Sequence, residues 1–591
     1  MLEGVFYLSV WKSHNYSLHS FRKDLIAGVT VGVIAIPLGM AFAIAAGVKP
    51  EYGIYTTIIA GVLISLLGGS KFQIGGPTGA FIPILLGIVL TYGYENLLIA
   101  GFLAGVLLFF MGVFKLGALI KFIPRPVTVG FTSGIAVIIF TGQIAHFLGL
   151  RDVERYEYFL SNMREIVIQF NTLNVYSMMV AGVCLAFILL TPKVFPKIPG
   201  PLIGLVVSSV VAAVCFPDKV ATIGSTYGDI PTNFPAFQFP NMTWDNIKLM
   251  LMPAFVIALL GGMESLLSAV VADGMARTQH NSNRELVGQG IANMVTPLFG
   301  GIPATGAIAR TATNIKSGAA SRVSGIIHGL VVLAVLLLLA PYASHIPLAS
   351  MAPILMVVAW NMSGRQVFTH ILMTKTGDSV VLLITFLLTV FTDLVTAVQI
   401  GLLFAVILFV KRMSEALTVA KVLPDPEDKK VRSHMVHEGR DCPQISIYTI
   451  EGPLFFGAAQ LFEKSIMNTI NHHPNVLILR MGKVPYVDTT GEANLTSIVR
   501  HFHKRGGSIL ISGIQSHPRD VLKRTALYEE IGAEHFFTRT GEAIDYALSK
   551  LDLKRCIGCK HFAFQECDRL SSGLGSEKGV ALKEVVLTNE R

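Results

Sequence analysis

The chain has 591 residues, 52% of them hydrophobic and only 14% charged, with a mean hydropathy of +0.60. Soluble proteins carry roughly 25% charged residues, so a wholly soluble protein is excluded and a multi-spanning membrane protein is indicated. The net charge of +9 comes from basic residues clustered in alternate loops. It therefore reads as membrane orientation rather than nucleic-acid binding.

Residues 1–20 lack the basic start, apolar core and small-residue cleavage site of a signal peptide, and are expected to form a cytoplasmic N-terminal segment. Apolar runs follow at 25–46, 54–67, 97–114, 127–147, 175–190, 326–340, 380–390 and 397–410. Several approach the ~20 residues that cross ~30 Å of hydrocarbon, and others are clearly shorter. The basic clusters are Arg22 with Lys23, Lys115 to Arg125, Arg277 with Arg284, Arg365 with Lys375, and Lys411 with Arg412. Placing them in the cytoplasm puts both termini there, and about fourteen spans then fit between residues 21 and 412. Cys184 and Cys215 lie in apolar spans and read as packing residues.

Two stretches interrupt the apolar pattern in similar ways. "GGPTGAFIP" (75–83) and "GGIPATGAIA" (300–309) each follow a short apolar segment and precede another. Such paired Gly/Pro breaks in two halves point to a transporter site at the bilayer midplane. A helix that starts there leaves its first N–H groups free, and with the helix dipole these cradle an anion. The expected cradle is Thr78, Gly79 and Ala80 at one start and Ala307, Ile308 and Ala309 at the other, with Arg310 adding positive charge. Glu264 sits mid-way along an apolar run, where an ionisable group is functional by default. Its protonation would couple proton entry to anion entry, and a structural ion pair with Arg310 is the plainer alternative. Ser268, one turn on, reads as a coupling-ion ligand or as a packing serine. Asp273, nearer the cytoplasmic end, and Asp393 read as structural.

After Arg412 the composition turns polar. Residues 413–442 read as a linker around "LPDPEDKK", and 443–552 as a small α/β domain. Its strands are expected at "ISIYTI", "PLFFG", "NVLILRM" and "SILISG", with helices at 458–470 and 489–503. The scattered His472, His473, His501 and His503 read as surface side chains. The polar tail, 553–591, contains "CIGCKHFAFQEC". There Cys556, Cys559, His561 and Cys567 could bind zinc, although the short spacing and single Cys-x-x-Cys favour free thiols.

The stretches "IPLGMAFAIAAGVKPEYGIYT", "GGPTGAF", "GFTSGIA", "ESLLSAVVADGM", "HNSNRELVGQGIAN", "GGIPATGAIART" and "LVTAVQIGL" resemble the sulfate permease (SulP) family of anion transporters, and residues 443–552 resemble its STAS domain. The resemblance covers roughly residues 15–550. "VAWNMS" and "GPLFF" look most like the bacterial C4-dicarboxylic acid transporter type. It implies a seven-plus-seven inverted repeat with core and gate domains, a homodimer, elevator-type alternating access and location in a bacterial inner membrane. It also implies that Phe42 lines the anion pocket beside the two half-helix starts, and that Glu264 is the acidic residue of span eight. Leu38 stands where many relatives carry glutamine. Sodium-coupled bicarbonate members carry Asp in place of Glu264 and Thr in place of Ile308, and the missing hydroxyl favours protons over sodium. Thr490, in "VDTTGEANL", matches a phosphorylated hydroxyl residue of anti-sigma-factor antagonists. A capping role is favoured, with Asp488 as the helix cap and docking of a cytosolic protein partner left open.

The expected function is proton-coupled symport of sulfate or a C4-dicarboxylate, with no cofactor beyond the proton. Bicarbonate transport or an uncoupled channel or exchanger is the alternative. A nucleobase carrier would need polar groups to read base edges, and the span-ten segment offers mostly Ala and Ile. An anion sensor signalling through the STAS domain would need no titrating group. An enzyme is not expected, because no nucleophile–base constellation appears.

Overall fold

A computed structural model describes residues 16–118, 124–156, 158–195, 198–392, 394–425, 430–437, 440–470 and 474–572. Asp393, His472 and His473 lie outside the described residues. The chain divides into two compact units, residues 1–405 and 406–591.

The first unit is helical. In chain order its main helices are α1 (Leu18–Ala45), α2 (Pro50–Leu67), α3 and α4 (the two arms of Ile82–Val113), α5 (Arg125–Gly142), α6 (Val175–Val194) and α7 (Gly200–Cys215). Then come α8 (Trp244–Ala276), α9 (Ser282–Val295), α10 (Ile308–Lys316), α11 (Val323–Ala343), α12 (Leu348–Met362), α13 (Gly377–Phe391) and α14 (Leu394–Glu415), which runs across the unit boundary. Gly93, at φ 82° and ψ 168°, separates α3 from α4. Among the described residues seven helices are long and apolar enough to cross a membrane, and Gly200–Cys215 and Gly377–Phe391 are shorter apolar helices. Val206, Val210 and Val214, spaced one turn apart on α7, are all more than half exposed. In water such a stripe would be costly, whereas lipid accepts it.

The packing follows the expected two-fold repeat of seven helices. In the first half α4 packs on α9, and in the second its counterpart α11 packs on α2. Likewise α1 packs on α11, and α8 on the Ile82–Val113 pair. With α10, which packs on α8 and α1, these helices form one body of eight, and α5, α6, α7, α12 and α13 pack among themselves. Small residues let the backbones close up. At Gly105 an added Cβ would lie 2.5 Å from the Met294 nitrogen, and at Gly290 it would lie 2.5 Å from the Phe109 nitrogen.

Two helices of this unit, α3 and α10, start inside it. Each follows an extended segment, β1 (Gly75–Gly76) and β2 (Thr305–Gly306), and the two pair antiparallel with Gly75 opposite Gly306 and Gly76 opposite Thr305. The similar sequence breaks are thus neighbours in space.

The second unit is a five-stranded sheet in the order β3 (Thr418–Lys421), β4 (Ile445–Glu451), β5 (Val476–Lys483), β6 (Ser508–Ser512), β7 (Phe536–Phe537). Strands β4 to β7 are parallel, and β3 runs antiparallel to β4. Helices Ala459–Ile470 and Thr489–Lys504 match the expected positions closely. Two expectations need correction. The segment read as a linker contributes β3. "PLFFG" is a turn rather than a strand, with one bridge between Leu454 and Val487. Gly452 at φ 107° and Pro453 break the extended chain, and the Asp488 carboxylate accepts the Phe456 N–H at 3.0 Å. The tail is not wholly solvated either, since Ala563 and Phe564 are buried against one sheet face.

Candidate functional site

The site is built around the crossing of β1 and β2. An extended segment inside a membrane protein must find partners for its N–H and C=O groups, and buried side chains supply them here. Asn293 on α9 holds Ala304 from both sides. Its Nδ2 donates to the Ala304 carbonyl at 2.8 Å and its Oδ1 accepts the Ala304 N–H at 2.8 Å. Ser265 on α8 accepts the Gly306 N–H at 3.0 Å and shares a hydrogen bond with the Thr305 hydroxyl at 2.8 Å. Gln73 donates to the Ser265 carbonyl at 3.1 Å. Thr311 accepts the Ile74 N–H at 3.0 Å. The crossing is therefore bound to α8, α9 and α10 before any ligand is considered.

The residues singled out in the sequence gather there. Thr78, Gly79 and Ala80 form the entry to α3, where Thr78 is nearly buried and Ala80 fully so. Ala307 precedes α10, and its N–H donates to the Ile74 carbonyl at 2.8 Å. Ile308, at 39% exposed, and Ala309 present the first turn of α10 to open space. The first-turn N–H groups of α10, from Ile308 to Arg310, precede its hydrogen-bond ladder, which begins with Thr311 N–H to the Ala307 carbonyl at 2.8 Å. At α3 the entry turn is partly closed by Phe81 N–H to the Thr78 carbonyl at 3.3 Å and Ile82 N–H to the Gly79 carbonyl. The buried ring of Phe42 lies against the start of α3, 3.7 Å from where a Gly79 side chain would begin.

The two charges meet the same turn at adjacent residues. The Thr78 hydroxyl donates to Glu264 Oε2 at 2.8 Å. Arg310 is 3% exposed and donates through Nη2 to the Pro77 carbonyl. Glu264 and Arg310 act on each other electrostatically but make no ion pair among those described within 4.0 Å. The turn between them holds each charge separately. Arg310 Nη1 has no hydrogen-bond partner. Gly76 makes room for it, since a Cβ there would lie 2.6 Å from Nη1.

Ser268 is fully buried, one turn beyond Glu264, and its hydroxyl donates to the Thr311 hydroxyl at 3.2 Å. It ties α8 to α10. Asp273 closes the end of α8 by accepting from the Thr278 hydroxyl, the His280 N–H and His280 Nδ1. In the second unit, Thr490 is exposed at the start of helix Thr489–Lys504, where Asp488 accepts the Gly491 N–H at 2.8 Å as a cap.

In the tail, Cys556, Cys559 and Cys567 are three of the chain's six cysteines, all free thiols of intermediate exposure. Among the described residues no group of three His, Cys, Asp or Glu side chains could hold a metal ion. Cys556 Sγ accepts from Gln444 Nε2 at 3.3 Å, and Cys567 Sγ accepts from the Phe564 N–H at 3.4 Å. Burial also raises both thiols above their ordinary range, which disfavours the thiolates a metal needs.

Sequence reasoning missed Gln73, Ser265, Asn293, Thr311 and His328. The available signal is an uncharged polar residue inside or beside an apolar run, weaker than the charge that marks Glu264 and Arg310.

With the fold and this geometry established, the match to known proteins is specific. Residues 21–385 match the sulfate permease family and residues 439–543 match the STAS domain. The chain belongs to the sulfate permease family. It is similar to "Putative sulfate transporter YvdB" of Bacillus subtilis (strain 168), 58% identical over 89% of this chain and 98% of the relative. It is 29% identical to the bicarbonate transporter BicA of Picosynechococcus sp. (strain ATCC 27264 / PCC 7002 / PR-6), over 90% of this chain and 95% of that one. Its fold matches the murine anion transporter Slc26a9 in the inward-facing state, with TM-score 0.85 at 19% identity, over 93% of this chain and 95% of that one. It is thus a multi-pass membrane protein of an anion-transporter family with a C-terminal STAS domain.

Proposed function

We propose that this protein is a proton-coupled sulfate symporter that works by elevator-type alternating access, as a homodimer in a bacterial inner membrane with both termini cytoplasmic. The observation that carries this is the turn at Pro77 and Thr78, which ties Arg310 and Glu264 to one end of the half-helix pair. The anion sits between the N-termini of α3 and α10, near Phe42, Thr78, Gly79, Ala80, Ala307, Ile308, Ala309 and Arg310. The free N–H groups and the guanidinium favour it, and the open first turn of α10 gives it access. An ionised Glu264 beside this site opposes an incoming anion. A protonated one removes that repulsion, so proton and anion enter together. Ser268 contributes by fixing α8 to α10.

Sulfate is favoured by the 58% identical relative with that name, and bicarbonate comes second through the 29% identical one. A C4-dicarboxylate is the remaining candidate, since backbone N–H groups do not discriminate among small anions. The STAS domain, through the surface around Thr490, is proposed to dock a cytosolic protein.

The test is uptake of labelled sulfate, bicarbonate and succinate into proteoliposomes, with and without an inward proton gradient. Wild type should concentrate sulfate only with the gradient. Glu264→Gln should retain exchange and lose gradient-driven accumulation. Arg310→Gln should raise KM about 10- to 100-fold, as expected for loss of a charge-assisted contact worth roughly 1.5–3 kcal/mol. Equal, gradient-independent flux in wild type and Glu264→Gln would leave a channel or exchanger.

A further inference from the structure

His328 lies on α11, one turn after Ser324 and Gly325, and is fully buried. Among the described residues neither ring nitrogen has a partner in good hydrogen-bond geometry, and the nearest acceptor is the Gly325 carbonyl one turn back. A buried imidazole is costly in this state, because its neutral form carries one N–H donor and one lone-pair acceptor that both need partners. Among the described residues, the charged group that acts on the ring is Arg310.

Arg310 has the complementary need, because its Nη1 is a buried donor without an acceptor. The two groups both lie near the same peptide, Gly75–Gly76. The point where a Gly61 side chain would begin lies 3.1 Å from His328 Nδ1 and 3.5 Å from the Gly75 carbonyl oxygen. The corresponding point at Gly76 lies 2.6 Å from Arg310 Nη1. Glycine at both positions lets the ring and the guanidinium come up against this one peptide, where a side chain would exclude them. Buried sites of this kind, with several unmet polar groups, hold ordered water.

We propose that His328 is a positioning residue for Arg310. A buried water accepts the free Nη1–H of Arg310 and donates to the lone pair of the His328 ring, and the ring N–H turns toward the Gly325 carbonyl. The guanidinium is thereby held from both ends, by Pro77 through Nη2 and by His328 through the water, with its charge aimed at the junction of α3 and α10. His328 acts through Arg310 and touches no anion. The proton coupling stays with Glu264.

This inference rests on the reading of Arg310 as an anion-site residue, and the experiment separates the two. Labelled sulfate uptake into proteoliposomes is measured from pH 5.5 to 8 for wild type, H328Q, H328F and R310Q, normalised to monodisperse protein. H328F should raise KM about tenfold with the maximal rate within about twofold. H328Q, which keeps an acceptor and a donor, should restore KM to within about twofold, with a pH profile shaped like that of wild type. An unchanged KM in H328F overturns the proposal. A flat pH profile in H328Q also overturns it, because His328 would then carry the proton itself. If R310Q transports like wild type, the reading of the anion site fails instead. A map of the wild-type protein at about 2.5 Å or better needs neither substrate nor variant. Density for a water between Nη1 and the ring supports the proposal, and direct apolar packing in that place overturns it.

Discussion

Gly76 combines a backbone at φ 151°, which L side chains rarely adopt, with the guanidinium of Arg310 directly over its α-carbon. Both features bear on Gly76→Ala. The strained backbone costs on the order of 1–3 kcal/mol. The clash is with the end of a flexible side chain, so Arg310 swings aside and the fold survives. The damage should therefore fall on the site. Sulfate uptake by Gly76→Ala is expected to drop at least tenfold per folded molecule, while the protein still elutes as a single species in detergent. Uptake at the wild-type level would mean that the guanidinium does not act from beside Gly76.

At the scale of elements, α3 and α10 can begin inside the unit only because side chains from α8 and α9 replace their missing backbone partners. Asn293 is the most direct to test, since its two amide atoms hold both backbone groups of Ala304, while Nδ2 also donates to the Gln289 carbonyl of its own helix at 2.9 Å. Asn293→Leu keeps the volume and strands a buried N–H and a buried C=O. Each stranded group costs ~1–3 kcal/mol, so about 2–6 kcal/mol is at stake and the heat resistance of the detergent-solubilised protein should fall clearly. Heat resistance equal to wild type would place the support of β2 elsewhere, with Ser265 the next candidate. The half-helices themselves were legible in the sequence. Glycine and proline inside an apolar run have few explanations in a membrane, and their repetition at 75–83 and 300–309 narrows them further. Glu264 and Arg310 were legible for the same reason, as charges where lipid forbids them. Their separate anchoring was not, because it depends on where one turn places the Pro77 carbonyl and the Thr78 hydroxyl. The supporting Gln73, Ser265, Asn293 and His328 are polar but uncharged, and single polar residues are ordinary in membrane helices. Only the fold distinguishes one that closes a backbone gap from one that packs.

For the molecule as a whole, the second unit carries its own core, on both faces of its sheet. Along β4, Ile445 and Ile447 join the cluster with Ala543 and Phe564, while Tyr448 and Ile450 join the one with Phe462 and Leu495. Strand β5 alternates in the same way through Val476, Leu477, Ile478 and Leu479. Because both faces are buried, the central strands read in sequence as short unbroken apolar runs such as "VLIL", which made them legible. The edge strand β3 was hidden, because half-exposed "TVAK" beside a charged segment reads as linker. A fragment of residues 413–572 should consequently fold alone, with β3 included, and unfold cooperatively in guanidinium. Cys442 gives that fragment a pH signature. Burial raises its thiol from about 9 to about 11, with Cys567 and Cys556 adding to the effect. The folded state then holds the proton over a range where the unfolded chain releases it, so stability is full below pH 9 and is lost as pH rises from about 9 to about 11. Two pH units at 1.36 kcal/mol each set an upper scale of about 2–3 kcal/mol. Unfolding of the fragment should be measured at pH 8 and pH 10.5, in wild type and Cys442→Ala. Wild type is expected to lose about 1–3 kcal/mol more than the variant between the two pH values, whatever the substitution costs at pH 8. Equal losses would mean that the Cys442 thiol is not buried in the folded domain, and would remove the reason to place the start of β4 under the tail.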